Sequence, residues 1–302
     1  MRRVPLPGWV LGLSLALFTA TWIAAPGEIF SEVRAPDPAL PRARPTQRAL
    51  PLRGAGAAPL GERPDLVWGH NHPFEVALTF DDGPHPVYTA QLLDILARHE
   101  VKAAFFVNGI WLTVGQMAPR TRFLMRRAHF EGHLVGNHTY SHANLAELDP
   151  KRQTWEIVAN AVMISDILGQ RPYLFRPPYG SMTPHAAAIL QRYGYVRVMW
   201  NLDAPEAVGS PKAIATALFE WILRRRGGIV LLHDRVRRSV IATELLLDLL
   251  TQENCRRLAE RKPIFRLVSL DAFLLSPQEK RLLANNAAVA RQRQRLRRVC
   301  PR

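Results

Sequence analysis

Two carboxylates stand side by side in Thr79-Phe80-Asp81-Asp82-Gly83-Pro84, directly behind the apolar run Val76–Phe80. A charged pair at the mouth of a buried strand is costly unless it is paired, hydrogen-bonded or bound to a metal. The sequence supplies partners in His138 and His142, four apart in Gly136-Asn137-His138-Thr139-Tyr140-Ser141-His142. One carboxylate with two such histidines makes a three-ligand metal site with an open position for water. The other carboxylate then suits a different task, as a base beside the metal, because neighbours on one strand end point in different directions. The same geometry argues against a glycosidase, which needs two carboxyls facing each other across a sugar. Each piece also has a plainer reading: Asp-Asp-Gly-Pro as a turn, and the histidines as a structural pair on one helical turn or compact loop.

Two more stretches could take part. Arg176-Pro177-Pro178-Tyr179-Gly180 is a stiff loop, with prolines fixing the backbone and Gly180 permitting a sharp turn. Its arginine could hold a carboxylate in a bidentate pair; the alternative is a rigid surface connection. His233 follows Ile229–Leu232, where a histidine is either a satisfied core residue or a general acid. The other histidines have no such company and read as structural or surface residues.

These groups need elements to position them. Short apolar runs at Val76–Phe80, Ala103–Val107, Leu134–Gly136, Tyr173–Phe175, Tyr195–Trp200, Ile229–Leu232 and Phe265–Leu270 read as seven strands. Helical patterns separate them at about 89–99, 120–131, 150–168, 184–192, 211–225 and 239–260, with Gly169 placed as a C-cap. Such alternation predicts a parallel α/β sheet, open or closed into a barrel. On that map Asp81 and Asp82, His138 and His142, Arg176, Asp203, and His233 with Asp234 all follow C-terminal strand ends, the edge where α/β active sites gather.

The chain has 302 residues and a formal charge of +15. The excess is concentrated at the ends: residues 279–302 carry eight basic residues and one acid, and residues 1–64 carry eight basic residues and four acids. Residues 1–25 combine Arg2 and Arg3 with an uncharged apolar run, predicting a signal anchor or cleaved signal peptide and an extracytoplasmic location, secreted or anchored in the inner membrane facing the periplasm or cell wall. Residues 26–66, rich in Pro, Ala and Arg, read as a linker. Cys255 and Cys300 form no C-x-x-C pattern; they are free to pair in an oxidising compartment or to remain unrelated thiols. The tail from Glu279 reads as a solvated, partly helical end or as a dock for an anionic envelope surface. Export, and the lack of an aromatic-rich basic face, argue against a nucleic-acid partner.

Taken together, Thr79–Pro84, His138–His142, Arg176–Gly180 and Leu231-Leu232-His233 resemble the successive motifs of the polysaccharide deacetylase family (carbohydrate esterase family 4, the NodB homology domain), over roughly Phe74 to Leu275. The resemblance implies a distorted (β/α) barrel of about seven strands, a catalytic domain over 67–278, and removal of N-acetyl groups from N-acetylglucosamine-type units of a polysaccharide: peptidoglycan, chitin-like or poly-N-acetylglucosamine. It implies that Asp82, His138 and His142 hold one divalent metal, zinc foremost, with Co2+ or Ni2+ as substitutes. Asp81 would be the base, Arg176 its orienting partner, the Tyr179 N–H an oxyanion donor and His233 the acid. Pro178, Tyr179, Trp200 and Leu231 would line the groove. The family's fourth motif, Asp-x-x-Asp-Trp, is altered here to Asp203-Ala204-Pro205-Glu206-Ala207, so either Asp203 or Glu206 would supply its carboxylate. The competing reading is a catalytically silent carbohydrate-binding or scaffold protein of the same fold.

Overall fold

A computed structural model describes residues 64–70, 72–204, 206, 209–275 and 287–300. The signal segment 1–25 and nearly all of the linker lie outside them. The strands are β1 (Leu66–Val67), β2 (Glu75–Asp81), β3 (Ala104–Val107), β4 (Leu134–Asn137), β5 (Leu174–Phe175), β6 (Val196–Val198), β7 (Leu202–Asp203), β8 (Gly228–His233) and β9 (Arg266–Leu267). The helices are α1 (Tyr88–Arg98), α2 (Ile110–Thr113), α3 (Ala118–Phe130), α4 (Pro150–Leu168), α5 (Pro184–Arg192), α6 (Pro211–Arg225), α7 (Arg237–Ala259) and α8 (Ala287–Val299). Seven of these strands answer to the apolar runs. The other two correct the sequence reading: β1 begins at Leu66, inside the expected linker, and β7 was not foreseen.

The path β1-β6-β5-β4-β3-β2-β8-β7 is parallel throughout, and β9 joins the start of β2. The sheet curls into a distorted barrel. Its two sides meet through a side chain: Asn201 donates from Nδ2 to the Gly69 carbonyl beyond β1 at 3.2 Å and accepts from the Ile229 N–H of β8 at 2.8 Å. A Cβ on Gly69 would lie 1.9 Å from that amide, so the seam requires glycine there.

Strand alternation divides the core. On β2, Val76, Leu78 and Phe80 face the helix layer with Leu92, Leu96, Leu246 and Leu250, while Ala77 faces the barrel interior with Phe106, Val198 and Ile229. All seven residues of β2 are buried, as expected of a parallel strand covered on both faces. The period of two then carries Thr79 and Asp81 inward above Ala77.

The C-terminal segment also departs from a free tail. Leu296 of α8 is buried, Cys300 is disulfide-bonded to Cys255 of α7, and Arg295 lies 3.1 Å from the His99 ring. Among the described residues no helix is long and apolar enough to cross a membrane.

Candidate active site

Asp81 ends β2 on the interior side. Asp82 follows with φ +73°, a left-handed conformation that turns its carboxylate away from its neighbour's. The adjacent acids therefore separate at the first residue beyond the strand.

Arg176, at the end of β5, is the largest fully buried side chain among the described residues. Its NH1 group donates to Thr79 Oγ1 at 2.7 Å and Asp81 Oδ1 at 2.8 Å; Nε donates to the Val198 carbonyl and NH2 to the Met199 carbonyl, both at 3.2 Å. Its planar face lies 4.3 Å above Phe106. A guanidinium inside a barrel is tolerable only with this degree of satisfaction. The result holds one Asp81 oxygen fixed and leaves Oδ2 towards His138 Nε2 at 3.6 Å.

His138 follows β4. Its Nδ1 lies 2.6 Å from the Arg176 carbonyl, so Nδ1–H donates and the lone pair is on Nε2, which lies 3.5 Å from Asp82 Oδ1. His142 Nε2 lies 3.2 Å from the same oxygen. Donor atoms of the three residues fall within 4.8 Å of one another. Asp82 Oδ1 is buried with no hydrogen-bond partner, and an orphaned carboxylate oxygen between two imidazoles is what a divalent cation would satisfy. Burial pushes the Asp82 carboxyl up, but the flanking His138, His142 and His233 imidazoles outweigh it and hold it at about 2. Burial pushes His142 down, favouring the neutral form that ligates.

The loop bearing the histidines is compact but not a helical turn: Thr139 and His142 have φ of +65° and +63°. Such conformations persist only where the surroundings enforce them. Helix α4 does so. Glu156, fully buried, accepts from the Ser141 N–H at 2.8 Å and the Ser141 hydroxyl at 2.6 Å, and its own carbonyl accepts from the Tyr140 N–H. One turn on, Asn160 donates to Asn137 Oδ1 at 2.8 Å, and that oxygen also accepts from the Thr139 N–H at 2.9 Å. Sequence reasoning missed these residues. Their signal was three polar residues, Gln153, Glu156 and Asn160, at helical spacing on the face that α4 buries.

His233 ends β8 and is register-paired with Asp81 on β2. Its Nδ1 is hydrogen-bonded to Glu206 Oε2, its backbone N–H donates to Glu206 Oε1 at 3.3 Å, and Nε2 stands 4.0 Å from Asp82 Oδ2. Burial pushes the imidazole down, but the Glu206 hydrogen bond and charge, with the charges of Asp81 and Asp82, raise it to about 9. Of the two acids in the altered fourth motif, Glu206 therefore serves His233. Asp203 is exposed on edge strand β7, and the Arg176 hydrogen bonds go to Asp81, Thr79 and two backbone carbonyls instead.

The remaining expected residues surround this group. Pro178 is buried and Tyr179 is 70% exposed, its ring edge-on to His142 with centroids 4.8 Å apart. Trp200 lies beside Gly180 and over the Arg176 guanidinium at 5.5 Å. Leu231 is buried on the interior side of β8, two residues before His233. Asp234 points elsewhere: it is buried beneath Gly83, where a Cβ would come within 2.1 Å of its carboxylate, and accepts from the Thr89 hydroxyl.

The model of the polysaccharide deacetylase family matches residues 69–198. That stretch takes in Asp81, Asp82, His138, His142 and Arg176 and stops before Glu206 and His233. A chitooligosaccharide deacetylase of Bradyrhizobium sp. is 36% identical over 161 residues, 53% of this chain and 70% of that protein. A peptidoglycan-N-acetylglucosamine deacetylase of Bacillus cereus is 36% identical over 135 residues, 45% of this chain. The chain spans about half the length of that relative, 47%. The chitin deacetylase structure from Colletotrichum lindemuthianum superposes with a TM-score of 0.59 at 29% identity, covering 70% of this chain and 93% of that one. The matched stretch runs through the strands that carry the Asp82–His138–His142 cluster and the Asp81–Arg176 pair, and on this agreement of sequence, fold and site the chain belongs to the polysaccharide deacetylase family.

Proposed function

We propose that the protein is a metal-dependent hydrolase that removes N-acetyl groups from N-acetylglucosamine-type units of an extracytoplasmic polysaccharide. The observation that carries this reading is the unpartnered Asp82 oxygen between His138 and His142, flanked by one acid poised as a base and one histidine poised as an acid. One oxygen and two nitrogens suit Zn2+, with Co2+ or Ni2+ as substitutes. When bound, the metal would supply a Lewis acid that polarises the acetyl carbonyl and makes water more acidic.

The chain's own groups do the rest. Asp81, held in place by Arg176, takes the proton of the attacking water as its oxygen bonds to the acetyl carbon. The Tyr179 N–H stabilises the oxyanion that develops. His233 gives its Nε2 proton to the sugar nitrogen as the C–N bond breaks, releasing acetate and a free amine. Glu206 keeps that proton on the imidazole and its ring in place. Pro178, Tyr179, Trp200 and Leu231 shape the groove. Residues 1–25 direct or anchor the chain outside the cytoplasm, and the exposed arginines of α8, Arg291, Arg297 and Arg298, contact an anionic envelope surface.

The test is acetate release from chitin oligomers and peptidoglycan, with metal content measured in parallel. About one divalent ion per chain, activity lost to a chelator and restored by zinc, and an Asp81→Asn variant that keeps metal but not turnover are the expected results. Equal activity in metal-free protein would sink the mechanism.

A further inference from the structure

One flank of the site is rich in arginine, and the acid inside it, Asp234, is buried beneath Gly83 and bonded to the Thr89 hydroxyl. Residues 84–93, 110–123 and 235–243 meet beside the Asp82–Gly83–Pro84 turn: Arg235 NH1 donates to the Pro84 carbonyl at 3.3 Å, Arg120 Nε donates to the Pro86 carbonyl at 3.4 Å, and the Arg235 guanidinium lies 3.6 Å from the Trp111 ring centroid. These three segments contain five arginines and no aspartate or glutamate. The β7 flank, by contrast, carries Asp203 and Glu206.

Arg235 is distinctive within this flank. It stands two residues past His233, is half-buried, and has no carboxylate at ion-pair distance among the described residues. Burial lowers its guanidinium from the ordinary value, against the opposing charges of Asp234 and Asp82, and its bond to the Pro84 carbonyl ties it to the residue two along the chain from Asp82. Stacking on Trp111 uses its flat face and leaves the edge of the fork, beyond the single bond to Pro84, for another acceptor. An arginine immobilised in this way loses little further freedom on binding a carboxylate, and that pairing is its best geometric match.

We infer that Arg235, laid on Trp111 at the Pro84 side of the cluster, is a specificity-determining residue that receives a carboxylate-bearing substituent of the glycan, so that the site prefers acidic N-acetylated sugars to neutral ones. This rests on the glycan-deacetylase reading and names the substrate class within it. The carboxylate belongs to a substituent near the reacting sugar or on its neighbour, as with a lactyl ether or a uronic acid.

Calorimetric binding tests it, using the metal-loaded full chain with Asp81→Asn to prevent turnover. The probes are a neutral N-acetylglucosamine tetrasaccharide and a peptide-free peptidoglycan tetrasaccharide whose alternate sugars bear lactyl carboxylates. The acidic probe should bind about tenfold more tightly at low salt, and the gap should close as salt rises. Adding Arg235→Gln should bring the acidic probe to the level of the neutral one. Arg235→Lys, with the charge but not the fork, should recover part of the gap, and Trp111→Ala should narrow it by releasing the arginine. Equal affinity of the parent for both probes overturns the inference. So does an Arg235→Gln variant that weakens both probes alike, which would make the arginine a prop for the Pro84 turn. Acetate release by the unsubstituted protein is measured separately; its absence refutes the deacetylase reading while the affinity comparison still stands.

Discussion

At the scale of single residues, the site consists of charges whose neighbours decide their task. Asp81 and Asp82 are chemically identical and adjacent, yet one is gripped by Arg176 and the other is presented to two imidazoles. His233 differs from His138 and His142 because Glu206 sits behind it and raises it to about 9. As the general acid proposed here it must carry its proton, so turnover should fall as pH rises through about 9. Glu206→Gln removes the charge that holds the proton. The descending limb of the pH–rate profile should then move about one unit or more to lower pH, with turnover reduced more than substrate affinity. A limb that stays where it was would show that Glu206 does not set the acid.

At the scale of elements, α4 acts as the clamp of the loop that carries His138 and His142, the proposed metal ligands. Glu156→Ala strips the acceptor from the Ser141 N–H and hydroxyl, two groups next to His142. Losing such support for a ligand typically costs about 10–100-fold in metal affinity, and titration of metal-free protein with zinc should show it while the circular dichroism remains native. Unchanged affinity would reduce Glu156 to a core residue. A second element-level prediction concerns the entry to β4. His133 is buried and its Nδ1 accepts from the Ala103 N–H at 3.1 Å, so the folded state holds it neutral; burial, with the charges of Lys102 and Arg127, lowers it to about 4. The folded form thus binds fewer protons than the unfolded one below the unfolded value of about 6.5. Its contribution is intact above that value and is lost as pH falls through 4, up to about 3 kcal/mol in all. His133→Asn, which keeps an acceptor for Ala103 but cannot titrate, should flatten the pH dependence of stability over that window. An unaltered slope in urea-melt midpoints would assign the acid sensitivity to another group.

At the scale of the whole molecule, the basic end is bound to the domain. The Cys255–Cys300 bridge spans 45 residues, and closing a loop of that length in the unfolded chain is worth about 2–4 kcal/mol. Cys255→Ser with Cys300→Ser should lower the melting temperature without changing metal content, because α8 lies against α7 and His99 rather than at the strand ends. A chain cut before Glu279 should be less stable still, having also exposed the surface that Leu296 covers. A truncated chain melting at the full-length temperature would restore the picture of a solvated tail.

The sequence by itself placed the chemistry at one edge. Strand–helix alternation and the period of two put Asp81, His138, Arg176 and His233 at C-terminal strand ends, because inward placement along a strand is a local property of spacing. It also set the ends of α4, α5 and α6, where Asp149, Thr183 and Ser210 cap the helices. Strands β1 and β7 stand in no apolar run: they are two-residue ends of the strand path, created by pairing with β6 and β8. Other features depended on the tertiary structure for a different reason. That Glu206 and not Asp203 reaches His233, that Arg176 is wholly interior, and that Glu156 fixes Ser141 are matters of distance between strands and helices remote in sequence. Spacing along the chain does not encode those distances; packing of the β7, β8 and α4 neighbours sets them.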